Sequence, residues 1–149
     1  MLAEGTLVDA IMAARSQIDF LWQFFVSVHI AIFALLFIYD HAIEGLNWVA
    51  KACVVAGIAS FEWINGNALA HSYMLLDAML DQYRWSYGQA ERFHPAFYDQ
   101  FVLATYKSRP EMVMMTHSTA VIVVLLAIVS RHFIQSKNPA KRQIHRSDL

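Results

Sequence analysis

Three long apolar segments dominate the pattern of hydrophobic and polar positions along the chain. Residues 20–39 and 112–130 contain no Asp, Glu, Lys or Arg, and residues 48–80 contain few helix breakers. A helix rises about 1.5 Å per residue and the hydrocarbon layer of a bilayer is about 30 Å thick, so each segment is long enough to cross a membrane. The pattern therefore predicts an all-α integral membrane protein with about three transmembrane helices.

Two further segments mix apolar and polar positions at helical spacing. Residues 2–18 predict a short helix lying on the membrane surface ahead of the first span. In the connection between the second and third spans, Phe93, Phe97 and Phe101 recur every four positions among charged neighbours. That spacing predicts an amphipathic interfacial helix in this connection, and we expect its aromatic stripe to face a partner.

Composition agrees with a membrane protein. Of the 149 residues, 58% are hydrophobic and 15% charged, whereas ordinary soluble domains are roughly 45–50% apolar and 25% charged. We therefore expect residues 1–149 to form one membrane domain in contact with lipid. The sequence has no glycine-rich phosphate loop and no HExxH motif, which argues against hydrolysis. A short basic segment beside a span is ordinarily a topology signal and a contact for anionic lipid, so nucleic-acid binding is not expected.

Basic residues are concentrated at the end of the sequence. The segment 131–149 carries a single acid, Asp148, and five basic residues: Arg131, Lys137, Lys141, Arg142 and Arg146. Because Lys and Arg close to a span resist translocation, this tail is predicted to be cytoplasmic. Three spans then place the N-terminus outside. We expect the membrane to be of the bacterial inner type.

Most polar residues within the predicted spans lie on the second one. Glu62, Asn65, Tyr73 and Asp77 share one helical sector at 100° per residue, and His29 lies within the first span. An ionisable side chain inside a membrane costs about 2.5–3.5 kcal/mol on insertion scales and needs a partner. We predict that Glu62, Asn65, Tyr73 and His29 make polar contacts between helices. Two neighbouring spans offer limited cover, so we also expect burial against other membrane subunits or further copies of the chain.

Histidines within the spans suggest a cofactor site as an alternative. His71 and His117 share a similar depth if the second and third spans pack antiparallel. Asn67 lies on the same face as His71, four residues earlier, and Asp77 lies further along the helix. Imidazole is a common ligand of haem iron and copper. These four residues are the candidate ligands for haem or copper, while the simpler alternative for each histidine is a hydrogen bond to a neighbouring helix.

Two local resemblances point the same way. The helix carrying His71, followed by Asp81 and Tyr83, resembles the haem-bearing helix of the anchor subunits of succinate:quinone oxidoreductases, which implies haem and quinone. The pair Asn67 and His71 is similar to the intramembrane copper ligands of particulate methane and ammonia monooxygenases, which implies copper. The first resemblance covers one helix and the second one pair of residues, so neither assigns the chain to a family.

These observations leave three hypotheses for function. The leading one is a small accessory or structural subunit of a larger membrane complex, respiratory or redox in type and itself non-catalytic. The second is an intramembrane haem- or copper-binding oxidoreductase component that uses His71 and His117. The third is an oligomeric proton or ion pathway through Glu62. The sequence identifies no catalytic residue under any of them.

Overall fold

Three long helices make up most of the structure. The computed structural model describes the backbone of residues 3–38 and 47–136 and, except at position 37, the side chains as far as Ile128. The helices are α1 (Glu4–Ile38), α2 (Trp48–Tyr87) and α3 (Arg109–Ser136). Within these ranges no strand is present, so the prediction of an all-α fold is confirmed. The predicted end of the first span at Tyr39 and most of the basic tail lie outside the described residues.

The predicted surface helix ahead of the first span is wrong as a separate element. Residues 4–18 are the beginning of α1, which continues without a break to Ile38. Leu7, Ile11 and Ile18 are buried, whereas Asp9 and Asp19 point outward. The charged residues that seemed to end the membrane segment therefore lie on the outer face of a longer helix.

Helix α2 lies between the other two, and both pack mainly against it. From Glu4 to His29, α1 meets α2 at progressively earlier positions, from Tyr83 back to Glu62. Helix α3 also runs antiparallel to α2, because the segment just before α3 lies beside Asp77. The N-termini of α1 and α3 and the C-terminus of α2 therefore share one end, which we call the head.

The head contains the main apolar core. We define it as residues 4–19 of α1, 73–87 of α2 and the connection 88–108. Its buried side chains, together with adjoining ones from α2 and α3, are Leu7, Ile11, Ala14, Ile18, Leu69, Tyr73, Leu76, Leu80, Tyr83, Phe101, Val102 and Val113. Burial, and then a hydrogen bond to the Glu4 carboxylate, raises the pKa of Tyr83. Side chains from all three parts of the head thus hold it together.

The connection between α2 and α3 is not the predicted amphipathic helix. It contains a 3₁₀ turn (Ala90–Arg92), one α turn (Pro95–Phe97) and one π turn (Tyr98–Val102). Pro95 explains the interruption, because proline lacks an N–H and keeps the residue before it out of the helical region. His94 accordingly has extended backbone angles.

The aromatic stripe survives this change of backbone, but only part of it faces outward. The rings of Phe93 and Phe97 are 5.7 Å apart, and those of Phe97 and Phe101 are 4.9 Å apart. Phe101 is buried against the Tyr83 ring and under the Arg15 guanidinium. The expectation of a partner-facing stripe therefore fails for Phe101, while Phe97 remains 47% exposed.

Two of the long helices are long and apolar enough to cross a membrane. The qualifying stretches are Glu4–Leu36 and Arg109–Ile128. Helix α2 is longer than either, but Lys51, Glu62 and the polar residues that follow make it too polar to qualify on its own. Any crossing by α2 therefore depends on how its polar side chains are covered.

Candidate functional site: a buried polar cluster

The three helices enclose a polar pair halfway along the bundle. Glu62 of α2 is 2% exposed, and its Oε1 lies 3.1 Å from Nε2 of His29 on α1. The alignment of the two atoms falls short of a hydrogen bond, and Glu62 Oε2 has no hydrogen-bond partner among the described residues. The pair is thus a close contact between two titratable groups in an almost closed site.

The backbone fixes the tautomer of His29. Its Nδ1 lies 2.8 Å from the carbonyl oxygen of Phe25, one helical turn earlier. A carbonyl only accepts hydrogen bonds, so Nδ1 carries a proton and Nε2 of the neutral ring presents a lone pair to Glu62. An ionised Glu62 beside this neutral ring would set two acceptors against each other, so the contact requires one further proton.

A second polar pair lies one turn from the first, toward the head. His117 of α3 is 2% exposed, and its Nε2 lies 3.0 Å from Nδ2 of Asn65. Its Nδ1 donates to the carbonyl of Val113, so Nε2 accepts from the Asn65 amide and the pair needs no extra proton. Gly66 permits this packing, because a Cβ there would lie 3.1 Å from the His117 ring.

Phe25 lies between the two histidines. Its ring centroid is 4.1 Å from that of His29 and 4.5 Å from that of His117. The two polar pairs are therefore neighbours joined by an aromatic ring, and each of the three helices contributes to the cluster.

Polar contacts continue from this cluster into the head. The Trp22 indole donates to the Tyr73 hydroxyl at 3.1 Å, and the Tyr73 ring stacks on Tyr106 at 5.8 Å. Asp77 Oδ1 accepts hydrogen bonds from the Tyr106 amide at 2.6 Å and from the Thr105 hydroxyl at 3.1 Å. The polar sector predicted for α2 thus lies against α1, α3 and the connection of the same chain.

The bundle is apolar on the other side of the Glu62 and His29 pair. Leu36 and Val124 are buried there. A crevice of about 140 Å³ between the helices is lined by apolar side chains and one cation: Ile32, Leu35, Leu36, Val54, Ile58, Ile128 and Lys51. Lys51 is eleven residues from Glu62, or roughly 16 Å along the helix. The polar interior is therefore confined to the head side of the pair.

The predicted ligands of haem or copper are not brought together. His117 is buried and bonded to Asn65, whereas His71 is exposed on the outer surface of α2. Asp77 is engaged by the connection before α3. Among the described residues, no group of three or more histidine, cysteine, aspartate or glutamate side chains has the arrangement of a metal site. The geometry therefore gives the cofactor hypothesis no support.

His71 and Asn67 form a separate outward-facing polar patch. His71 Nδ1 donates to the Asn67 carbonyl at 2.9 Å, and the Asn67 amide donates to the Trp63 carbonyl at 2.7 Å. These bonds turn back onto their own helix, so His71 Nε2 and Asn67 Oδ1 remain as acceptors on the surface. Large apolar side chains, Trp63 and Met74, are exposed on either side.

Several residues of the cluster were not singled out by the sequence. Trp22 and Phe25 look like ordinary membrane residues, and Thr105 and Tyr106 lie in an irregular segment. Their roles depend on the register between helices, which one sequence does not show. The glycine among polar residues at position 66 is the one local signal that two helices approach closely there.

Fold and site together describe an all-helical protein of three long helices around a buried polar cluster, with two helices suited to a membrane. No protein-family model, curated protein or solved structure matches the chain. Function must therefore be argued from the geometry alone.

Proposed function

We propose that the chain is a three-span integral membrane protein of a bacterial-type inner membrane, with the head outside and the basic tail in the cytoplasm. The contact between His29 and Glu62 sets α1 and α2 in register, so that residues 20–38 of α1 run beside roughly 53–71 of α2. Within this layer Glu62 and Asn65 of α2 are covered by α1 and α3. Covering Glu62 and Asn65 reduces the cost of placing α2 in hydrocarbon.

Within that membrane we propose that the chain acts as a small accessory subunit of a larger complex, respiratory or redox in type. The observation that carries this proposal is the patch formed by exposed His71 and half-buried Asn67 at the edge of the same layer. An imidazole facing lipid is costly, and such residues in membrane helices characteristically face another helix. The patch therefore supports a neighbouring membrane protein that covers this side of α2.

The chemistry of the patch defines the neighbour. With neutral His71, the surface presents two acceptors, His71 Nε2 and Asn67 Oδ1, between apolar side chains. A fitting partner is a transmembrane helix with hydrogen-bond donors, such as serine or threonine hydroxyls or amide groups. Interhelical bonds of this kind contribute on the order of 0.6–2 kcal/mol each.

The proposal is tested with single substitutions and native mass spectrometry of the chain, extracted from its own membrane in mild detergent. We expect the wild-type chain in a complex of defined mass, with His71→Ala and Asn67→Ala each reducing recovery of that complex several-fold. Thr119→Ala is the matched control, because this exposed hydroxyl on α3 already donates to its own helix. The control should recover the complex normally.

The opposite results would reject the subunit proposal. A wild-type chain recovered only as a monomer would do so, as would full recovery of the complex from both patch variants. Thermal unfolding of the variants should match the wild type, because both side chains lie on the outside of α2. A loss of assembly accompanied by unfolding would place the two residues in the fold rather than at an interface.

A further inference from the structure

The interior of the bundle differs on the two sides of Glu62. Toward the head follow Asn65 with His117, then Tyr73 with Trp22, and finally Asp77, about 22 Å from Glu62 along the helix. Toward the other end, the interfaces between the described helices are apolar until Lys51. On the head side of this titratable pair, polar groups alternate with apolar core residues such as Leu69 and Val113, whereas on the other side the interface between the described helices is aliphatic.

The pair itself is built to hold one proton. His29 Nδ1 is committed to a backbone carbonyl, so Nε2 and the Glu62 carboxyl must share a single proton to avoid a contact between two acceptors. Placed on either group, that proton leaves the pair with no net charge. Removing it leaves a negative charge and adding another leaves a positive charge, each costly in a low-dielectric interior.

Few other charges reach this pair. From α3 the facing titratable group is His117, which is held in its neutral tautomer by Asn65 and Val113. From α1 it is His29 itself, and the next charged residue described on α2 toward the tail is Lys51. The proton is therefore held by the pair and not by a wider network of charges.

From this arrangement we propose that Glu62 and His29 form a reversible proton-binding site that exchanges protons with the head side of the membrane only. The chain by itself is a half-pathway, a dead end for protons, and conducts none across the bilayer. Glu62 Oε2, buried and without a hydrogen-bond partner in the described part of the chain, is the acceptor available to an arriving proton. This inference rests on the proposed three-span placement but not on the subunit role.

The test uses the full chain reconstituted in vesicles in one orientation, with the pH of each side set independently. Infrared spectroscopy follows the protonated carboxyl band that Glu62→Gln removes. We expect this band to respond to pH on the head side and to stay constant when pH changes on the tail side. Asp81→Asn is the control, because Asp81 is a half-buried carboxylate of the head whose loss should leave the Glu62 band unchanged.

A second readout covers the case in which Glu62→Gln does not fold. In the wild-type chain, the ring ¹⁵N spectrum of His29 reports the proton at Nε2 and should show the same dependence on one side. A His29 signal that changes equally with the pH on either side of the membrane would overturn the proposal. A His29 signal that follows neither side at any pH at which the chain stays folded would also overturn it.

A measurement of proton flux distinguishes a half-pathway from a complete pathway across the bilayer. Vesicles that hold the chain and a pH-sensitive dye should leak protons no faster than empty vesicles, with or without Glu62. Sustained flux that Glu62→Gln abolishes would show a complete pathway and overturn access from one side. Labelling of the two ends and of position 47, between α1 and α2, from the two sides of the vesicle would test the three crossings first, so failure of the membrane placement is distinguishable from failure of the proton site.

Discussion

Gly66 is a residue of the cluster at which α2 and α3 approach closely. Its missing side chain leaves room for the His117 ring, which in turn reaches Asn65. Glycine is unfavourable inside a helix by roughly 0.5–1 kcal/mol relative to alanine. The helix accepts that cost at this position because a methyl group would occupy the place of the imidazole.

Gly66→Ala should lower the free energy of unfolding by about 1–3 kcal/mol, the usual cost of overpacking a filled site. The matched control is Gly57→Ala on the same helix, because a Cβ there meets nothing within 4 Å. That control should be neutral or slightly stabilising. Thermal or denaturant unfolding in detergent measures both variants, and equal stability would contradict the close packing of His117 against Gly66.

At the scale of single residues, the sequence predicts which residues make polar contacts better than it predicts their partners. Glu62, Asn65, Tyr73 and His29 were expected to make polar contacts, and all four lie in the buried cluster. The expected partner was a neighbouring chain, because cover from two apolar spans looked too small. His29, His117 and Trp22 supply much of that cover, and their positions depend on helix register, which composition and periodicity do not give.

At the scale of the elements, the connection between α2 and α3 is held by side chains of α2. Arg84 donates to the carbonyls of Val102 and Ala104, and Asp77 accepts from Thr105 and from the Tyr106 amide. An irregular segment needs such partners, because its backbone groups do not bond to one another in a ladder. Arg84 and Asp77 therefore anchor the last part of the connection, residues 102–106, to α2.

Asp77→Ala should leave the Tyr106 amide without its acceptor and cost about 1–3 kcal/mol of stability, the usual penalty for a buried unsatisfied polar group. Hydrogen exchange at that amide is the direct measurement and should become much faster. Asp77→Asn retains an oxygen acceptor and should preserve most of the protection. Unchanged exchange in the alanine variant would show that Asp77 does not anchor the connection.

The observed helix bounds also show what a hydropathy pattern does not predict. The middle helix was predicted over 48–80 and extends to Tyr87, and the third was predicted over 112–130 and covers Arg109–Ser136. The largest difference between the predicted and the observed bounds is at the beginning of α1. Asp9, Arg15 and Asp19 interrupt the apolar pattern there, although the helix continues through them. A hydropathy criterion detects the continuous apolar part of a helix, whereas the helix is prolonged by packing in the head.

At the scale of the whole molecule, the two ends of the bundle are built differently. The head has a core of side chains from all three of its parts, whereas the described part of the opposite end buries only Leu36 and Val124 and exposes large apolar side chains such as Leu35, Ile38 and Val54. Exposed apolar surface of this kind suits contact with lipid or with a partner in the membrane. The proposed orientation places the compact end in water.

This orientation can be tested with single cysteines in a Cys53→Ser background, since Cys53 is the one cysteine of the sequence. In intact cells, a membrane-impermeant maleimide should label Ser108→Cys in the head and should not label Ser136→Cys at the end of α3. Both should react after permeabilisation. Labelling of both positions from the same side would contradict a membrane crossing by α3, the helix that separates them.

The contact between His29 and Glu62 also has a consequence for biosynthesis. Helix α2 is too polar to qualify as a span by itself, whereas α1 precedes it in the chain and already carries the imidazole that faces Glu62. The insertion machinery would therefore receive the second segment while the first is still beside it, and the two would enter lipid together as a hairpin. In the proposed three-span placement, the order of the segments along the chain would thus bring the His29 imidazole beside Glu62 as that side chain leaves water.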